Sequence, residues 1–208
     1  MNSTVLNIDC MEGMKQYPDK YFDLALVDPP YGIEINMNMG RKAGQIKRHK
    51  DKKWDSDIPE DEYFIELSRV SKNQIIWGGN YFPLPLTKAW IFWDKKVPEG
   101  VSFADGELAW TSFDKTLVKL DIVYSGFQGS DNGGKIHPTQ KPVRLYANVL
   151  KKFTDCRCKI LDTHLGSGSS RIAAHDMGYD FTGFELDKEY FEAQEKRFQQ
   201  HISQLTMF

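Results

Sequence analysis

Apolar residues along this chain come in short runs, each stopped by turn-forming residues: Val5–Ile8, Leu24–Val27, Gln74–Trp77, Ala89–Trp93, Glu107–Phe113, Lys159–Leu161 and Phe181–Phe184. Runs of this length bounded by Gly, Pro, Asn and Asp predict strands. Between several of them the period changes. Glu60–Ser71 carries Phe64, Leu67 and Val70 at helical spacing. Val143–Phe153 and Ser169–Met177 predict two more helices, the second closed by Gly178 at its C-cap position. Asp187 caps a last helix on which Phe191, Phe198 and Ile202 share one face. Strands alternating with helices predict an α/β fold with a mostly parallel sheet. Two stretches break the rhythm. Residues 33–58 are polar and basic without periodicity, and residues 125–136 (SGFQGSDNGGKI) read as a linker.

A chain of 208 residues, 40% hydrophobic and 27% charged, is expected to form one well-buried globular domain. No apolar run approaches the ~20 residues of a membrane span, and the N-terminus lacks a signal-peptide core. Cys10, Cys156 and Cys158 read as reduced thiols of a cytoplasmic protein. A lone Cys-x-Cys is too little for a zinc site, so no metal is expected. The net charge of −2 does not announce a nucleic-acid binder, yet it conceals one concentrated segment. Arg41, Lys42, Lys47, Arg48, Lys50, Lys52 and Lys53 stand there against the single acid Asp51.

Two strand ends carry the candidate chemistry. In ILDTHLGSGSSRIAAHDMGYDFTGFELD a strand ends at Asp162, a turn with Gly166 and Gly168 follows, then a helix, and a second strand ends at Glu185. Glycines let backbone approach a ligand, and an acid about 17 residues later suits ribose hydroxyls. No G-K-[ST] follows and no third glycine sits at dinucleotide spacing, so a triphosphate or NAD is disfavoured. Asp162 just before the glycines would repel phosphate but suits a cationic ammonium, which points to S-adenosylmethionine. The other strand end, LALVDPPYG, presents Asp28, Pro29, Pro30 and Tyr31. Asp28 can accept one N–H of an exocyclic amine and the Pro29 carbonyl the other, fixed by the proline ring. Tyr31 offers a face for base stacking. The paired acceptors localise the amine lone pair, and the proton leaves after methyl transfer.

With both clusters in hand, the chain resembles the β-class DNA amino-methyltransferases, the N6-adenine and N4-cytosine family with DPPY-type turns. The order DPPYG (28–32), IHPTQKP (136–142), DTHLGSGSS (162–170) and GFELD (183–187) places the catalytic motif before the cofactor motif, as in that class. NIDCMEGM, NQIIWGGNYF and AWIFWDK resemble further family segments. The resemblance implies a three-layer, Rossmann-like methyltransferase fold with permuted motif order and S-adenosyl-L-methionine as cofactor. It implies methyl transfer to a base flipped out of double-stranded DNA. It puts Asp28, Pro29, Pro30 and Tyr31 at the target amine. Asp9 goes to the cofactor adenine and Glu185 to the ribose, while Asp162, Gly166 and Gly168, with neighbouring Ser169, go to the methionine end. His137, Thr139 and Lys141 of the HPTQKP segment belong to the same cofactor-binding set, with Thr139 and Lys141 near the cofactor carboxylate. Adenine N6 is the expected target because an aspartate heads the turn, whereas cytosine N4 enzymes more often have serine there.

The chain departs from the family at His164, where an aromatic is usual, and at Ser169, where threonine is usual. His164 is expected to titrate near neutral pH and to make cofactor binding weaker or pH-dependent relative to phenylalanine. A separate recognition region is reduced to residues 125–136, so readout falls to the basic stretch, to this linker, or to the second subunit of a homodimer. Whether a cognate restriction endonuclease exists is left open. Methylation of RNA or of a glutamine amide also uses related turns, but with the cofactor glycines first. A catalytically silent DNA-binding subunit is expected to lose the turn or the glycines, and both are present.

Overall fold

Side-chain alternation along the second strand already dictates three layers. In the computed structural model, which describes residues 2–33, 58–99, 104–123, 135–155 and 157–205, Phe22–Val27 is buried on both faces. Leu24 and Leu26 join one apolar cluster, with Leu145, Val149, Leu150 and Ala173, while Ala25 and Val27 join another, with Met14, Tyr63 and Leu67. Successive residues of a strand point to opposite faces, so both faces are covered by helices.

The strands are β1 (Ser3–Leu6), β2 (Phe22–Val27), β3 (Ser71–Trp77), β4 (Trp90–Asp94), β5 (Gly106–Thr111), β6 (Val118–Asp121), β7 (Lys159–Asp162) and β8 (Asp180–Phe184). The helices are α1 (Cys10–Met14), α2 (Asp61–Val70), α3 (Val143–Phe153), α4 (Ser169–Asp176) and α5 (Lys188–Leu205). One eight-stranded sheet runs β1-β8-β7-β2-β3-β5-β4-β6. It is parallel from β1 through β3; β5 is antiparallel to both β3 and β4, and β6 runs parallel to β4. The mostly parallel α/β sheet expected from the sequence is therefore what forms. The carboxyl ends of β1, β8, β7 and β2 share one edge. Asp9, Glu185, Asp162 and Asp28 all follow or end these strands.

Two elements escape the apolar pattern. The helix α1 has only five residues and owes its start to Asp9, whose Oδ1 accepts from the Met11 and Glu12 amides at 2.9 and 3.3 Å. The edge strand β6 buries a single residue, Leu120, so no alternation marks it. The strand expected at Val5–Ile8 lies two residues earlier, because Asn7 leaves the ladder and donates its side-chain amide to the Glu185 and Leu186 carbonyls at 2.7 and 3.1 Å. On α5 the face expected from Phe191, Phe198 and Ile202 is corrected. The buried positions are Tyr190, Gln194, Arg197 and Phe198, because this helix packs its polar groups against the glycine turn. No helix of the described residues is long and apolar enough to cross a membrane.

Candidate active site

The glycine turn between β7 and α4 is shaped by backbone that only glycine adopts without strain: φ is +50° at Gly166 and +71° at Gly168. It is held from three sides. Glu185 Oε2 accepts from the Gly166 amide at 2.7 Å, and its Oε1 accepts from the Asp187 amide at 2.8 Å. The residue expected at the ribose thus also ties the end of β8 to the turn. The ring of His137 lies beside Gly166, 3.7 Å from where a Cβ would stand, and packs edge-on against Tyr190. The Thr139 hydroxyl lies 3.1 Å from His137 Nδ1. From α5, Arg197 Nη1 donates to the Ser167 carbonyl at 2.7 Å and to the Ser169 hydroxyl at 2.9 Å. Ser169 is therefore buried and engaged within the protein rather than lining an open surface.

Asp162 closes β7 as a buried carboxylate. Ser170 Oγ donates to its Oδ2, and the His164 amide donates to Oδ1 at 3.1 Å. Burial drives this carboxyl up to about 7; the two hydrogen bonds oppose the rise, while Asp28 and Glu185 add to it. His164 behaves otherwise than expected. Burial pushes its imidazole down to about 4, against the pull of Asp9, so it is neutral between pH 6 and 8. Its Nδ1 lies 2.9 Å from Thr163 Oγ1, which lies 2.6 Å from the Tyr63 hydroxyl. A buried chain of three polar groups stands where an aromatic is usual in the family, and Tyr63 had no signal in the sequence beyond its place on a helix.

At the end of β2, Asp28 meets a lysine. Lys141 Nζ donates to Asp28 Oδ1 at 2.7 Å and Oδ2 at 2.6 Å, and to the Tyr31 hydroxyl at 3.1 Å. The Tyr31 hydroxyl donates to Asp28 Oδ1 at 2.6 Å. Lys141, expected near the cofactor carboxylate, here pairs with the catalytic turn: its ammonium is buried, and a buried charge needs a carboxylate in reach. A carboxylate has about four lone-pair sites. Among the described residues Oδ1 receives two donors and Oδ2 one, so Asp28 keeps one acceptor site on Oδ2.

Tyr31 packs one ring face on Tyr81, with centroids 5.2 Å apart and planes 12° from parallel. It also rests against Gly78, whose φ is +68°. Neither Gly78 nor Tyr81 was singled out from the sequence, although both lie in NQIIWGGNYF.

The two clusters meet at a cavity of about 330 Å³ lined by Cys10, Met11, Pro30, Ile58, Pro59, Glu60, Glu62, Tyr63 and His164. Pro30 belongs to the DPPY turn and His164 to the glycine turn. Burial pushes the Cys10 thiol up to about 12, with Asp9 adding to the rise, so it stays protonated and unreactive. The basic residues Arg41 to Lys53 and nearly all of residues 125–136 lie outside the described residues.

A family model described as DNA methylase, covering N6 and N4 methyltransferases, matches residues 85–196. The Type II methyltransferase M.HinfI of Haemophilus influenzae is 26% identical over 94% of this chain and 68% of its own length. The M1.HpyAVI–SAM complex superposes with a TM-score of 0.61 at 18% identity, covering 93% of this chain and 98% of that one. The PvuII cytosine-N4-specific DNA methyltransferase also gives 0.61, at 15% identity, covering 95% and 86%. The fold is that of the methyltransferases. With the motif order and the strand-end acids in place, the chain belongs to the N6/N4 DNA methylase family, whose methyl donor is S-adenosylmethionine.

Proposed function

We propose that this protein methylates the exocyclic N6 amine of adenine in double-stranded DNA, taking the base flipped out of the helix into the DPPY turn. The observation that carries the reading is the single acceptor site left on Asp28 Oδ2, beside a turn headed by aspartate. One N–H of the amine donates there and the other to the Pro29 carbonyl. The Tyr31 phenol, driven well above its ordinary range first by burial and then by Asp28, stays protonated and keeps donating to Oδ1. No strong base is required, because the amine loses its proton after the methyl group has moved. Cytosine N4 is the second reading, favoured by the superposition on the PvuII enzyme.

The residues present fit the methyl donor, which supplies a methyl group activated on a sulfonium. Asp162 and the Gly166–Gly168 turn would hold its methionine end, Glu185 its ribose, and Asp9, through the Oδ2 that no hydrogen bond from the described residues engages, its adenine. A carboxyl group at about 7 that must ionise to meet an ammonium makes binding pH-dependent. Below its pKa the apo site carries a proton that binding expels, so affinity rises with pH. The dissociation constant should fall about fivefold from about pH 6 to about pH 7.5, above which the donor's own α-ammonium begins to lose its proton, with proton release measurable by calorimetry in buffers of different ionisation enthalpy. The Asp162→Asn variant should lose this slope. A flat wild-type profile would contradict it.

The basic stretch follows the catalytic turn in sequence and suits DNA phosphates. Charge-reversing Lys47, Arg48 and Lys50 should weaken DNA binding and flatten its salt slope by up to about 0.9 for each phosphate no longer neutralised. An unchanged slope would place the DNA elsewhere.

Incubation with duplex DNA and labelled S-adenosylmethionine, followed by nucleoside mass spectrometry, tests the main reading. N6-methyladenine supports it, N4-methylcytosine supports the second, and no labelled nucleoside overturns both.

A further inference from the structure

Lys141 does not answer Asp28 alone. Its side chain is 4% exposed, and a second carboxylate, Glu107 Oε2, lies 3.1 Å from Nζ. Glu107 comes from β5, which reaches the site only because it inserts antiparallel between β3 and β4. Its other oxygen, Oε1, is 2.6 Å from Lys95 Nζ. The Lys141 ammonium also lies 5.5 Å from the ring centroids of Tyr31 and Trp77. Two carboxylates and two ammonium groups therefore form a chain, Asp28–Lys141–Glu107–Lys95, whose formal charges cancel.

We propose that Glu107 is a positioning residue for the catalytic turn: anchored by Lys95, it holds Lys141 so that the ammonium donates to both oxygens of Asp28 and leaves the remaining Oδ2 lone pair aimed at the amine. The inference rests on the methyl-transfer reading of that turn. A buried lysine facing only Asp28 would be drawn fully toward it and would compete with the incoming N–H for the same oxygen. The second carboxylate balances that pull. Burial lowers the lysine pKa, but Asp28 and Glu107 outweigh it and hold the group above its ordinary value. The same pairing acts on Glu107, where burial raises the pKa and Lys141 and Lys95 bring it down to about 2. The Tyr31 and Tyr146 phenols, which also face the cluster, are both driven up by burial and stay neutral.

Glu107→Gln keeps the shape and removes the charge. The expected result is a kcat lower by roughly 10- to 100-fold with the cofactor dissociation constant unchanged, and a high-pH limb of kcat shifted to lower pH because Lys141 has lost one of its two carboxylates. Lys95→Met should lower kcat by less and move the limb to higher pH, because it removes a like charge and leaves Glu107 to Lys141 alone. ¹⁵Nζ NMR titration, with the Lys141 resonance assigned by its loss in Lys141→Met, reads the lysine without reference to catalysis. It should show Lys141 titrating at lower pH in Glu107→Gln than in the unsubstituted protein. Unchanged kcat or an unshifted Lys141 titration overturns the assignment of Glu107. Absence of methyl transfer by the unsubstituted enzyme overturns the methyl-transfer reading, and with it the assignment. A variant that merely folds poorly would lower the active fraction without moving either titration.

Discussion

Asp28→Ala is expected to abolish methyl transfer while leaving S-adenosylmethionine binding at its wild-type strength. The carboxylate supplies the one acceptor that the turn keeps open on Oδ2, so its removal deletes an interaction that grows as charge develops on the amine nitrogen. Losing one such preorganised group costs about 100- to 1000-fold in turnover; here the Tyr31 hydroxyl and Lys141 also lose their shared acceptor. Lys141 keeps Glu107 at 3.1 Å, which limits the destabilisation that an unpaired buried ammonium would cause, on the order of 3–5 kcal/mol. The cofactor contacts expected at Asp162, Glu185 and Asp9 lie on other strand ends and should persist. Single-turnover assay with parallel cofactor titration checks both halves. Turnover near wild type would overturn the role of the turn, and lost cofactor binding would show that the change acts through the fold.

The second large effect is expected at Gly78, a residue outside the DPPY turn that packs against Tyr31. A Cβ there would lie 2.2 Å from Tyr31 Cε1, with Cδ1 and Cζ at 2.5 and 2.6 Å, far inside van der Waals contact. The backbone at φ +68° is also one that L side chains rarely adopt, with strain of about 1–3 kcal/mol. The ring must therefore give way in Gly78→Ala. Its hydroxyl is tethered to Asp28 and its face to Tyr81, so displacement of the ring disturbs the acceptor itself. Turnover should fall by roughly 100-fold, and the denaturation midpoint should drop as expected for overpacking of about 1–3 kcal/mol. Cofactor affinity should survive, since the glycine turn is on β7. Wild-type kcat in this variant would show that the position of Tyr31 does not matter to the reaction.

The strand-end chemistry was legible because it is local. A short apolar run broken by Asp-Pro-Pro-Tyr or by Asp followed by two glycines announces where a strand stops and which side chains it leaves there. The unread part depends on contacts between segments far apart in sequence. Glu107 reaches Lys141 only through the antiparallel insertion of β5, which no apolar alternation reveals. Arg197 and Gln194 are polar residues of a helix whose apolar positions alone were marked, yet they are buried, and Arg197 is hydrogen-bonded to the glycine turn. His164 shows the remaining kind of miss. Its ordinary pKa suggested titration near neutrality, and only burial at the site reveals an imidazole held at about 4.

Of the four acids that end or follow β1, β8, β7 and β2, Asp28 is matched by Lys141 and Asp162 is buried with its carboxyl raised to about 7. The edge therefore holds less negative charge at neutral pH than its number of carboxylates suggests. Arrival of a cation and ionisation of Asp162 favour one another, so the site generates part of its own counter-charge as it fills.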